Sequence, residues 1–94
     1  MDTFQVTPLM STYLLAFMVS TYMPYGNDNL KILSPRAQVN SSYFAYETAV
    51  NALKVCELHF GKSSQELGIP VIQITSSQNY KLPAMESWGL IILR

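Results

Sequence analysis

The spacing of hydrophobic and polar residues changes several times along the chain, and each change marks an element. From Leu9 to Tyr22 apolar residues fall on both sides of an extended backbone, with Tyr13, Leu15, Phe17 and Val19 on one and Leu14, Ala16 and Met18 on the other. That pattern predicts a strand covered on both faces, and its β-branched and aromatic content favours strand over helix. Pro24-Tyr25-Gly26-Asn27-Asp28 predicts a turn, since proline fixes one φ and Gly and Asn tolerate positive φ. Leu30 and Ile32 begin a second short strand, stopped at Pro35 because proline has no N–H for a ladder. The two strands are expected to pair as a hairpin.

The period then becomes helical. Tyr46, Ala49, Val50, Leu53, Cys56 and Phe60 recur at three- and four-residue spacing, which places them on one stripe. Asn40, Ser41 and Ser42 are candidate N-caps, and Gly61 is suited to the left-handed residue that ends a helix. Lys62 to Gly68 is a polar loop, Val71, Ile72 and Ile74 a short strand, Ser76 to Pro83 a second loop, and Trp88 to Leu93 a final apolar strand. The fold class is α+β: a hairpin, one amphipathic helix, then two strands. Strand edges left unpaired predict aggregation or dependence on a partner.

Composition sharpens this picture. The chain has 94 residues, 49% hydrophobic and only 13% charged, about half the roughly 25% charge usual in soluble domains. A small domain has most of its residues in contact with water, so this balance implies that many of them normally face other protein. Six basic and six acidic side chains cancel, so the charge signature of nucleic-acid binding is missing. The longest apolar stretch, around Leu14 to Val19, falls well short of the roughly 20 residues that span a bilayer. Asp2, with no positive region before an apolar core, predicts no signal peptide. Cys56 is the single cysteine and carries no internal disulfide; on the apolar stripe it reads as a small buried hydrophobe.

One short stretch carries more specific information. Ala84-Met85-Glu86-Ser87-Trp88-Gly89-Leu90 resembles the signature G-A-M-E-N-W-G-L of the zinc aminopeptidases of the aminopeptidase N type, and six of those eight positions match. Met10-Ser11-Thr12-Tyr13-Leu14-Leu15-Ala16-Phe17 is similar to a stretch that the family carries upstream, and Phe60-Gly61 falls near where the family ends a helix with a Phe-Gly pair. The resemblance runs from about Thr7 to Arg94. It implies that residues 1–36 form the end of an N-terminal β-domain and 37–94 the start of a thermolysin-like catalytic domain. It also implies a partial member of the family, with the remainder of a longer parent as partner and an extracellular or plasma-membrane setting.

The implied chemistry is recognition of a peptide's N-terminus. A free α-amino group is a cation at neutral pH, and a carboxylate meets it with charge-assisted hydrogen bonds. By the resemblance Glu86 is that carboxylate, carried on a rigid loop, and Ala84 and Met85 supply main-chain groups of the same loop that bind the peptide like an added strand. Pro83 stands where the family has glycine and Ser87 where it has asparagine; proline removes an N–H from the segment. The family's catalytic metal is zinc, bound by H-E-x-x-H and a further glutamate. This chain has one histidine, His59, while a catalytic zinc site needs about three protein ligands, so no zinc is expected to be bound by these residues and no activated water is available. The chain is expected to be inactive alone. The alternative is a non-enzymatic peptide-binding or structural module derived from the family. His59 is better read as a helix-end residue favourable to the helix dipole. Glu47 and Glu57 lie about 15 Å apart along a helix, too far to share a reaction centre. Tyr13, Tyr22, Tyr25, Tyr43, Tyr46 and Tyr80 read as packing residues.

Overall fold

The computed structural model describes residues 3, 4 and 6–94; Asp2, used above in reading the amino end, lies outside them. Five strands form one mixed sheet: β1 (Met23–Gly26), β2 (Leu30–Ser34), β3 (Ile72–Ser76), β4 (Ala84–Ser87) and β5 (Leu90–Leu93), in the order β1-β2-β3-β5-β4. The outer pairs, β1–β2 and β4–β5, are antiparallel, and the inner pairs, β2–β3 and β3–β5, are parallel. A single helix, α1 (Val39–Phe60), lies between β2 and β3 in the chain, as a parallel pair requires a long crossover. The molecule is therefore α+β. Strands before and after residue 37 share this sheet.

Helix α1 packs on β1 and β2. Its inner stripe runs through Ser42, Ala45, Tyr46, Ala49, Val50 and Leu53, which are buried or half-buried. The stripe expected from the sequence continues to Cys56 and Phe60, but Cys56 is exposed and Phe60 is 74% exposed. Length explains the correction: 22 residues of helix extend about 33 Å, whereas a five-residue strand such as β2 covers only about 17 Å. The last turns of α1 therefore overrun the strands it packs on.

The helix ends as expected. Gly61 takes φ +73°, and its N–H donates to the Glu57 carbonyl at 2.8 Å. The start differs. The helix begins at Val39 after a 3-10 turn, Arg36–Gln38, and Gln38 makes no side-chain cap. Ser42, one of the expected caps, instead faces the sheet and shares a buried 2.6 Å hydrogen bond with Ser34. Its hydroxyl is satisfied across the two elements rather than by its own helix.

The β1–β2 hairpin is present but shifted. Pro24, Tyr25 and Gly26 belong to β1 rather than to the turn; proline is tolerated there because β1 is an edge strand. The turn is made by Asn27, whose Oδ1 accepts the N–H groups of Asn29 and Leu30 at 2.8 and 2.9 Å. Gly26 has φ +141°, and a Cβ there would collide with the Leu30 carbonyl oxygen, so this corner needs glycine.

The expected strand between Leu9 and Tyr22 does not form. The segment contains one 3-10 turn, Thr12–Leu14, and joins no ladder. Leu14, Ala16 and Met18 are half-buried, whereas Tyr13, Leu15, Phe17 and Val19 are exposed. The alternation holds, but only one of the two apolar sides is covered within this chain. The buried apolar core is small: among the described residues it consists of Leu30, Ile32 and Leu90.

Candidate functional site

The hydrogen bond between Ser34 and Ser42 establishes which face of the sheet carries α1. Because strand side chains alternate between faces, Leu30 and Ile32 share that face with Ser34. Strand pairing then extends one row across the sheet: Tyr25, Ile32, Ile74, Ile91 and finally Glu86. At one end of the row Tyr25 meets Tyr43 and Tyr46 of α1 edge-on, with ring centroids 6.3 and 5.5 Å apart. At the other end, beyond the strands that α1 packs on, the apolar row stops at a carboxylate. Glu86 is exposed.

Ala84 to Ser87 of the motif form strand β4, not a loop as the resemblance implied. The loop expectation failed because four residues form a strand only when a partner aligns them, and here the partner is β5. Trp88 and Gly89 make the tight turn between them, with Gly89 at φ +77° in the second central position, as a type II turn requires. The last strand accordingly starts at Leu90 rather than Trp88.

β4 is an outer strand. Along an antiparallel strand the main-chain groups of successive residues point alternately toward and away from the partner. The Pro83 carbonyl accepts the Arg94 N–H at 2.9 Å, so Pro83, Met85 and Ser87 direct their main-chain groups toward β5. Ala84 and Glu86 direct theirs to the open edge. The next outward position is Trp88, and its N–H is taken by the Leu14 carbonyl at 2.8 Å. The N–H that Pro83 lacks would have pointed inward, so this substitution leaves the outer edge intact. Of the side chains, Ala84 and Glu86 stand on the α1 face and are exposed, whereas Met85 and Ser87 stand on the other; Met85 is half-buried and Ser87 buried.

Among the described residues no side-chain hydrogen bond engages the Glu86 carboxylate. Among the described residues one shallow groove runs between the sheet and α1 beside Ser34, Ser42 and Leu93, and another lies at the end of α1 beside Lys54 and Lys62; Glu86 is in the wall of neither. The exposed carboxylate stands on an outer strand of the sheet.

Among the described residues the remaining titratable groups form no second centre. His59 lies in the last turn of α1, edge-on to Phe60 with centroids 4.9 Å apart. Glu47 sits one turn from Tyr43 and raises the pKa of that phenol above its usual 10.0, by a hydrogen bond and by its charge. Among the described residues no group of three or more His, Cys, Asp or Glu side chains could hold a metal ion. The donors present therefore do not fit the zinc that the motif's family would imply. Among the described residues no helix is long and apolar enough to cross a membrane. The Leu14 contact at Trp88 had no signature in the sequence, because a main-chain carbonyl is common to every residue.

No family model matches the chain. Individual proteins do. The chain is 31% identical to Aminopeptidase 2 of Candida albicans, over 98% of its own length and 10% of that protein's. It is 32% identical to Aminopeptidase N of Lactococcus lactis subsp. lactis, over 98% of its length and 11% of that protein's. With Endoplasmic reticulum aminopeptidase 1 of Rattus norvegicus it shares 29% identity, over 99% of its length and 10% of the relative's. The chain thus spans about a tenth of the length of the curated relatives it matches. Similarity to yeast, bacterial and mammalian aminopeptidases, extending over nearly all 94 residues, makes this chain a segment belonging to the aminopeptidase family.

Proposed function

We propose that this segment holds the free amino end of a peptide along the outer edge of β4. Glu86 meets the ammonium group, and the outward main-chain groups of Ala84 and Glu86 pair with the peptide backbone as an added strand would. Met85 and Ser87 serve the opposite face and fix the strand, while Pro83 sets its start. The observation that carries this reading is the conjunction of two outward-directed main-chain positions with an exposed carboxylate on the same four-residue outer strand.

Cleavage is a separate matter. Hydrolysis of a peptide bond in the family resembled here draws on a zinc-bound water and a glutamate base, and no metal-binding group exists among the described residues. On this reading the segment binds and does not cut by itself.

Calorimetry with trialanine and its N-acetylated twin tests the binding half. The free-amine peptide should bind at least about tenfold more tightly, a difference of ~1.4 kcal/mol or more; equal heats for the two peptides would remove amine recognition. For the second half, incubation with zinc and an aminoacyl anilide should give no turnover above that of zinc alone. Metal-dependent hydrolysis by the purified chain would refute the assignment of inactivity.

A further inference from the structure

We propose that Leu14 acts as a stop at one end of the β4 edge, restricting it to the terminal residue of a peptide running antiparallel to β4. The inference rests on the reading of Glu86 given above and adds what sets the register. Outward positions on β4 recur every second residue, about 7 Å apart: Ala84, Glu86, then Trp88. The third is already occupied, since the Trp88 N–H donates to the Leu14 carbonyl. Leu14 is itself held in a 3-10 turn, its N–H bonded to the Ser11 carbonyl at 3.1 Å and the Leu15 N–H to the Thr12 carbonyl at 3.1 Å. This turn packs against β4.

An added strand can therefore extend past Ala84 but not past Glu86. A peptide antiparallel to β4 begins beside Glu86, where its ammonium group finds the carboxylate, and leaves past Ala84. An acetyl group or one more residue at its amino end would be driven onto Leu14. A peptide running parallel to β4 would place its amine at Ala84, away from the carboxylate, and would meet Leu14 as it continued. Charge and obstruction select the same end and the same direction.

Trp88→Pro tests this directly. It deletes the N–H that holds Leu14, and proline suits the first central position of the turn. Trp88→Ala removes the ring but keeps the N–H. A Leu14→Gly/Leu15→Gly double variant loosens the stop without touching β4, which covers the case in which Trp88→Pro does not fold. The probes are trialanine and N-acetyl-trialanine, measured by calorimetry. Wild type and Trp88→Ala should prefer the free amine about fiftyfold, about tenfold from the charge on Glu86 and about fivefold from the stop. In Trp88→Pro and in the glycine variant the preference should fall to about tenfold, through gained affinity for the acetylated peptide. Full preference in both variants would overturn the stop and leave the Glu86 reading standing. Absence of preference in the wild type would overturn both.

Discussion

Glu86→Gln should weaken binding of a free-amine peptide about tenfold and leave its acetylated twin unaffected. Glutamine keeps the shape and one acceptor oxygen of the side chain but removes the charge. A solvent-exposed ion pair alone contributes about 0–1 kcal/mol, and hydrogen bonds to charged groups about 1.5–3 kcal/mol. Glu86 is exposed, which favours the lower figure, but the peptide held on the Ala84 and Glu86 main chain has already lost its freedom to wander, which favours the higher. The region between the two ranges corresponds to about a tenfold change. Being a surface interaction, it should also fade as salt rises toward 1 M, where charges are screened within about 3 Å. Calorimetry of wild type and variant at low and high salt reads both effects. An equal loss for both peptides would mean that glutamine disturbs the strand rather than the recognition of the amine.

The largest effect on stability should come from Ile32→Ala. Ile32 sits in the second strand, pairs with Tyr25 on one side and Ile74 on the other, faces α1 and is 5% exposed. Truncating a buried isoleucine to alanine costs about 2–5 kcal/mol, from lost burial and from the cavity left behind. A chain of this size has roughly 5–14 kcal/mol of stability at the usual value per residue. With only Leu30, Ile32 and Leu90 buried among the described apolar residues, this molecule belongs at the low end, and the variant should be largely unfolded near 37 °C. Leu58→Ala is the matched control: Leu58 is 85% exposed on α1, so its loss should change stability by no more than about 0.5 kcal/mol. Urea unfolding of the two variants side by side separates them; similar midpoints would mean that the sheet–helix contact is not the core.

The sequence made local features legible and long-range ones obscure. Gly61 announced the end of α1 because a left-handed residue after a helical stripe has few other uses. The inner stripe was legible through Leu53 and misleading at Cys56 and Phe60, because periodicity reports which side of a helix is apolar but not how far its support extends. Ser42 looked like a cap, and no local pattern could reveal that Ser34, eight residues away, would take its hydroxyl. The parallel pairing of β3 with both β2 and β5 left no trace in the period of any one strand. At the site, the identity of Glu86 was readable from the motif, whereas its place at the end of a row of apolar side chains needed the register of five strands. The free edge beside it depends on main-chain direction, which alternates along a strand whatever the side chains are.

That edge can be examined residue by residue with amide hydrogen exchange followed by NMR. In the free protein the N–H groups of Ala84 and Glu86 should exchange far faster than those of Met85 and Ser87, and saturation with trialanine should slow Ala84 and Glu86 while the others stay as they were. Protection of Ala84 and Glu86 before any peptide is added, or exchange at both that is indifferent to the peptide, would contradict the assignment of this strand as the seat of the amino end.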